Sequence, residues 1–336
     1  MGKKIGIVAL TLYLCITFAL SEYYSKTLPF SPKQQVVTNL HFFFHDTLTG
    51  RSPSAVLIAK SNHTGDDSSS PSPFGSLFAI DDPLTLGHDP KSEQIGNARG
   101  MYVSSGKHDP TLTMYVDFGF TSGQFNGSSF TVFSRNTIRE KERELAVVGG
   151  RGRFRMATGV AQLNTYSVNL INGSRLYSWA NQLEESGKEK VTNLQFYFHD
   201  TLSGKNPTAV KVAQAADTNK SLTLFGATFM VDDALTETAD PKSKLVGRAQ
   251  GLYGSSCKEE IGLIMAMSFS FLDGPYKDST ISMIGKNSVM NPIREMPIVG
   301  GTGIFRMARG YAIAKTNWFD PTTGDAIVGY NVTVHH

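Results

Sequence analysis

Cysteine is almost absent from this chain: of 336 residues only Cys15 and Cys257 carry a thiol, and Cys15 lies in an apolar leader. Without the leader a single thiol remains, so no intrachain disulfide can form, and the core, an oligomer interface or both must hold the fold. Cys257 reads as a bystander, because the equivalent position earlier in the chain is Gly106. A strong charge of one sign is missing too. The net charge is +3 and the Lys and Arg residues are scattered, which argues against a nucleic-acid binder. The one dense run, Arg139 to Glu144, alternates in sign and reads as a solvated loop. No Gly-x-Ser-x-Gly elbow and no His-Glu-x-x-His helix is present, so hydrolase and metalloprotease chemistry have no basis. Gly149-Gly-x-Gly152 and Gly300-Gly-x-Gly303 lack the Lys-Ser/Thr of a phosphate loop and the spacing of a dinucleotide fingerprint. They read as turn or bulge glycines.

Long apolar runs are confined to the start. Met1-Gly-Lys-Lys4, the uncharged stretch Ile5 to Leu20 and the small residues near Ser21 match a secretory signal, 1–21, and no later segment is apolar enough to span a bilayer as a helix. Export agrees with five glycosylation acceptor sequons, at Asn62, Asn126, Asn172, Asn219 and Asn331.

What the chain does contain, it contains twice. Val37 to Gly50 returns as Val191 to Gly204, and Val148-Gly-Gly-Arg-Gly-Arg-Phe-Arg-Met-Ala-Thr-Gly159 returns as Val299-Gly-Gly-Thr-Gly-Ile-Phe-Arg-Met-Ala-Arg-Gly310. The offset is 154 at His45/His199 and 151 from Asp81/Asp232 onward, so three residues were gained or lost once, in the polar stretch Ser61 to Pro73. Such a period is too long for a solenoid unit of roughly 20–50 residues. Each copy, 36–180 and 191–336, is therefore a domain able to close its own core, and the polar linker 181–190 is expected to hold the two loosely, as beads.

Short segments rich in aromatic and β-branched residues, such as Leu40 to His45, Leu112 to Phe120 and Leu263 to Phe271, are separated by Gly, Pro, Asn or Asp and read as strands. Met265 to Phe271 alternates large apolar with small or polar residues, so one face is packed. No comparable helical period follows the leader. The expectation is all-β: two tandem eight-stranded antiparallel barrels, each wide enough for a small ligand.

Polar residues present in both copies are candidates for a shared site. Of eight histidines only His45 has a histidine counterpart, His199, and a metal site built on His41 and His45 would be absent from the second copy, so no metal is expected. The shared acids include Asp46/Asp200, Asp81/Asp232 and Asp82/Asp233, and the shared arginines include Arg143/Arg294. Within each Asp-Asp pair, one acid is expected to cap the turn while the other faces a cavity mouth. Because neighbouring strand residues point to opposite faces, only one member of each His-Asp pair can enter a lumen. A carboxyl among aromatics would have a raised pKa, suited to proton exchange with a phenol or quinone methide, or would merely be hydrogen-bonded at a strand end. Arg143 and Arg294 offer a cationic fork to a phenolate or pair with a nearby Glu at the rim.

Phe-x-Phe-His-Asp at the start of each copy, Phe-x-x-Asp-Asp-x-Leu-Thr in the middle, and Ile293 to Ala312 resemble the plant dirigent family over nearly all of both copies. The resemblance implies secreted, apoplastic, oligomeric barrels, commonly trimeric. These steer two phenoxy radicals, typically from coniferyl alcohol, to one stereoisomer of a lignan. A separate laccase or peroxidase supplies the radicals, and the barrel needs no cofactor. It assigns a cavity carboxylate to Asp46 and Asp200, a cavity arginine to Arg143 and Arg294, and a pocket tyrosine to Tyr102 and Tyr253, with His45, His199, Asp82 and Asp233 nearby. Similar lignan-forming proteins place an Asp seven residues before the Arg, where this chain has Asn136 and Asn287. An amide hydrogen-bonds but cannot take a proton. The alternative is a barrel that binds a phenolic or glycan ligand in the wall without catalysis.

Overall fold

The computed structural model describes residues 37–60, 73–168, 175–180 and 190–336. The leader, the sequons at Asn62 and Asn172, and the linker up to residue 189 lie outside the described residues. The first copy forms β1 (His41–Asp46), β2 (Ala55–Ala59), β3 (Leu77–Thr85), β4 (Gln94–Ser104), β5 (Thr111–Phe120), β6 (Ser129–Thr137), β7 (Glu142–Arg151), β8 (Gly159–Val168) and β9 (Arg175–Ala180). The second repeats the order: β10 (Val191–Asp200), β11 (Ala209–Ala213), β12 (Thr228–Thr236), β13 (Leu245–Ser255), β14 (Gly262–Phe271), β15 (Thr280–Ser288), β16 (Arg294–Thr302), β17 (Arg309–Phe319) and β18 (Ala326–His335). Among the described residues the remainder is turns and short 3₁₀ segments.

Each copy is a closed antiparallel barrel. In barrel 1 the strands run β1-β9-β8-β7-β6-β5-β4-β3, and β1 then pairs with β3 to complete a ring of eight. The ninth strand, β2, continues along the same edge of β3 that β1 occupies: Phe43 faces Thr85, Phe44 faces Leu84, and Ala55 faces Ile80 farther along. Barrel 2 closes in the same way through β10 and β12. Strand alternation then sends every second side chain into the lumen. Phe42, Phe44, Phe118 and Phe130 fill the first and Phe196, Phe198, Phe269 and Tyr330 the second. Each fully buried aromatic of this kind contributes about 1.5–3 kcal/mol.

The reading of Arg139 to Glu144 as a solvated loop is overturned for its second half. Glu142 opens β7, Arg143 turns into the lumen, and Glu144 bonds to the other barrel. The glycine motifs behave as read: Gly152 and Gly303 adopt φ of +65° and +60° at the start of 3₁₀ turns, a conformation that favours glycine.

The barrels do not behave as independent beads. Leu77 and Val103 of barrel 1 pack with Val210, Val212 and Met230 of barrel 2 in a shared apolar cluster. Glu144 accepts hydrogen bonds from the Gly303 N–H at 3.0 Å and Arg306 Nε at 3.1 Å, and forms an ion pair with the same guanidinium. Arg135 Nε donates to Gln250 Oε1 at 2.6 Å, and the Lys107 N–H donates to Asp232 Oδ2 at 2.6 Å. A Cβ on Gly300 would meet Ala146 Cβ and Val148 Cγ1 at 3.0 Å, so glycine lets the two walls approach; at the equivalent Gly149 nothing lies within 4 Å. Different faces of the two copies meet. Val210 and Val212 are 5% and 8% exposed, whereas their counterparts Val56 and Ile58 are 45% and 57% exposed.

Glu144→Ala and Arg306→Ala are each expected to destabilise the chain by about 1–2 kcal/mol, with a coupling of about 1 kcal/mol in a double-mutant cycle. Glu295→Ala and Arg155→Ala, the exposed counterparts, should stay within about 0.5 kcal/mol. Urea denaturation of the four variants checks this. Equal effects at both pairs would mean that the barrels do not dock through Glu144.

Candidate functional site

The site is built by alternation on six neighbouring strands. On β1, Phe42, Phe44 and Asp46 point inward, and on β3, Ile80, Asp82 and Leu84 do the same. The closed ring thus brings both carboxyls to one end of the lumen. Tyr102 of β4 stacks on Phe78 with ring centroids 5.1 Å apart and directs its hydroxyl at Asp46 Oδ2, 3.4 Å away. Leu112 and Met114 of β5, Asn136 of β6 and Tyr177 of β9 complete the lining of a cavity with Phe44, Asp46, Ile80, Asp82 and Tyr102. The cavity volume is about 10 Å³, about what one water requires, so the closed barrel is tighter than the small-ligand lumen expected of it.

Electrostatically the lumen is unusual. Asp82 is fully buried and neither of its oxygens has a hydrogen-bond partner among the described residues; the same holds for both oxygens of Asp233. Burial, reinforced by the Asp46 charge, pushes the Asp82 carboxyl up to about 8. Burial raises Asp46 to about 6, opposed by the Arg175 charge and the Tyr102 hydrogen bond. In barrel 2, Asp200 is half-buried, and burial of its carboxyl pushes it up to about 7, with the Tyr253 hydroxyl (3.3 Å) opposing and Asp325 adding to the rise. Asp233 is held well above the carboxylate range by burial and the Asp200 charge. Burial beside these acids also raises Tyr102 and Tyr253, so both phenols stay protonated.

Arg143 and Arg294 occupy equivalent places with different contacts. Arg143 Nη2 donates to Thr165 Oγ1 at 2.7 Å, and its guanidinium lies 5.4 Å from the Tyr177 ring centroid. Arg294 donates to Thr316 Oγ1 at 2.8 Å and, through Nε, to Asn287 Oδ1 at 3.0 Å. Asn136 Oδ1 is buried and has no such donor; the Asn136 amide N–H instead faces Met114 Sδ at 3.1 Å. Burial lowers both arginines.

Of the expected site residues, Asp46, Asp82, Tyr102 and Asn136 line one cavity in barrel 1, which Arg143 approaches through the Tyr177 ring; in barrel 2 Tyr253 bonds Asp200, the Asp200 charge acts on Asp233, and Asn287 bonds Arg294. His45 and His199 do not join them. They lie on the outer face of β1 and β10, where Nε2 meets Thr85 Oγ1 at 2.8 Å and Thr236 Oγ1 at 2.6 Å. Each threonine hydroxyl donates onward to the carbonyl of Gly87 or Thr238, so the imidazole N–H is the donor to threonine and the pair ties down a loop. Of the Asp-Asp pairs, Asp82 and Asp233 enter the lumen while Asp81 bonds Arg99 and Asn97 outside and Asp232 bonds Arg248 and Lys107 between the barrels. The sequons at Asn126, Asn219 and Asn331 are on exposed positions. Two lumen residues escaped the sequence reading: Tyr177, whose counterpart is Val328, and Arg175, whose counterpart is Ala326. A filter that kept only residues shared by both copies removed them.

A family model described as dirigent-like protein matches residues 37–180 and again 191–335. Dirigent protein 23 of Arabidopsis thaliana is 89% identical over 167 residues, which cover 50% of this chain and 89% of that protein. Pterocarpan synthase 1 of Glycine max is 49% identical over 150 residues, 44% of this chain and 81% of that protein. A solved pterocarpan synthase dirigent protein, GePTS1, shares 49% identity over 46% of this chain and 88% of its own, with a TM-score of 0.42.

The raised carboxyls give stability a definite pH dependence. Their folded pKa values exceed the ordinary value of 3.8, so the folded chain binds more protons and stability falls as pH rises from about 4 through about 8. Asp82→Asn is expected to be more stable than the parent by about 1–3 kcal/mol at pH 8, where the parent begins to hold an unpaired buried charge, and no more stable at pH 4. Urea denaturation at the two pH values measures it. An equal effect at both would show that Asp82 does not titrate in this range.

Proposed function

Because the chain belongs to the dirigent-like family through both of its halves, we propose that each barrel directs the stereochemistry of a reaction of a phenolic quinone methide. The observation that carries this reading is the pair of buried, coupled carboxyls, Asp46 with Asp82 and Asp200 with Asp233, in an aromatic lumen. Two phenoxy radicals, made by a separate laccase or peroxidase, each give one electron to a new C–C bond, so no oxidant is consumed at the barrel. The coupled product carries quinone methides, and a ring closes when a hydroxyl oxygen adds to a methide carbon. That hydroxyl loses a proton and the methide oxygen gains one. With Asp46 near 6 and Asp82 near 8, the pair between these values offers one carboxylate to accept the first proton and one carboxylic acid to supply the second. Arg143 or Arg294 stabilises the developing phenolate. The apolar leader and the sequons support a place for this chemistry in the apoplast.

A second reading is that one phenolic precursor is cyclised over the same acid pair. Formation of a pterocarpan, the product that names two of the relatives, is a reaction of this kind. Asn136 and Asn287, which cannot take the proton an aspartate would, favour it as well.

The discriminating experiment uses the full chain with coniferyl alcohol and an external laccase, read by chiral chromatography. The expected result is enantiomeric excess that falls in Asp46→Asn or Asp200→Asn and vanishes in the double variant, with total dimer yield unchanged. Racemic product from the parent chain with every monolignol tried, combined with stereoselective closure of a pterocarpan precursor, would favour the second reading. Neither activity would leave a barrel that binds phenolics or glycans without catalysis.

A further inference from the structure

The two lumens share their acid pair but not their rim. β9 pairs with β1 so that Arg175 lies directly opposite Asp46, and β18 pairs with β10 so that Ala326 lies opposite Asp200. Directly opposed residues of antiparallel strands project from the same face, so Arg175 and Tyr177 stand on the side that Asp46 faces. Tyr177 lines the cavity; Arg175, two residues nearer the strand end, is half-buried at the rim. In barrel 2 the same positions are Ala326 and Val328.

Arg175 forms no salt bridge with a described residue within 4.0 Å. Burial works against its charge, but the Tyr177 hydroxyl and the Asp46 carboxyl outweigh burial and hold it as a cation. The Arg143 guanidinium also lies 5.4 Å from the Tyr177 ring centroid, so Tyr177 has two guanidiniums beside it. In barrel 2 Arg294 takes the place of Arg143, the Arg248 charge reaches Asp233, and Asp325 beside Ala326 adds a negative charge whose effect reaches Asp200. That carboxylate is fixed by the N–H of Leu202 at 2.8 Å, the N–H of Ser203 at 3.0 Å and Ser203 Oγ at 2.6 Å.

We propose that the rim of barrel 1 is an anion subsite, in which Arg175 receives the carboxylate of a phenolic acid, and that barrel 2, with Ala326 and Asp325 there, takes uncharged phenolics. The assignment rests on the phenolic reading above. Its chemistry is that of a planar guanidinium, whose fork matches a carboxylate and which a lysine replaces only in part. One chain thus presents two lumens with different substrate charge, and the duplication widened its range.

Isothermal titration calorimetry of the full chain, with 4-hydroxycinnamate and with 4-hydroxycinnamyl alcohol as probes, tests this. The acid is expected to bind one site per chain and the alcohol to bind two. Arg175→Gln should weaken the acid about tenfold or more, equivalent to about 1.4 kcal/mol or more, and leave the alcohol within about twofold; Arg175→Lys should restore part of the loss. Ala326→Arg should create a second acid site, a gain that a misfolded variant cannot give. Unchanged acid affinity in Arg175→Gln, or two equal acid sites in the parent, would overturn the assignment. Binding of the alcohol without the acid would overturn it and leave the phenolic reading standing, whereas binding of neither would overturn both.

Discussion

Closure of the sheet between β1 and β3 is the constraint on which the rest of the molecule depends. An open sheet would leave the ends of both strands in water, where Asp46 and Asp82 would ionise like other aspartates. Closed, the ring surrounds them with Phe44, Ile80, Tyr102 and Tyr177, and the cost of a charge there exceeds the cost of keeping a proton. The carboxyl chemistry is therefore a property of the barrel more than of the residues. Tyr102 orients one acid, and nothing among the described residues satisfies the other.

The same closure separates two kinds of polar residue that the chain presents side by side. Within His45-Asp46 and within Asp81-Asp82 one side chain turns in and one turns out. The inward members form the site. The outward members anchor loops or join the barrels: His45 to Thr85, and in the second copy Asp232 to Arg248 and Lys107. Asp81, at the equivalent outer place on barrel 1, stays exposed with Arg99. Identical positions have thus acquired different partners because the barrels meet through unlike faces. Once they had done so, the copies were free to diverge, at the interface and at the rim where Arg175 faces Ala326.

Much of this was legible in the residues. The repeat, the strand pattern and the rule that one member of each adjacent pair turns inward follow from local periodicity, which needs no knowledge of distant contacts; which member turns in does not. The family resemblance added Tyr102, and comparison of the copies isolated the His-Asp and Asp-Asp pairs and Arg143. It failed where the copies differ: Arg175 and Tyr177 have Ala326 and Val328 as counterparts, and a rule that keeps only shared residues discards them. Glu144 was misplaced by a different cause. An alternating charge run resembles a solvated loop, and only a neighbouring wall carrying Arg306 makes it a contact.

By itself the sequence determined two all-β domains, one shared set of acids and arginines, and that only one member of each adjacent pair could enter a lumen, because side-chain direction alternates along any strand. The tertiary structure alone decided that the acids meet in one lumen, that they hold their protons, and that Arg175 stands across from Asp46 while Ala326 stands across from Asp200. Those outcomes depend on which strands become neighbours when the sheet closes, and on how much water the closed ring excludes, neither of which is written in any local stretch of the chain.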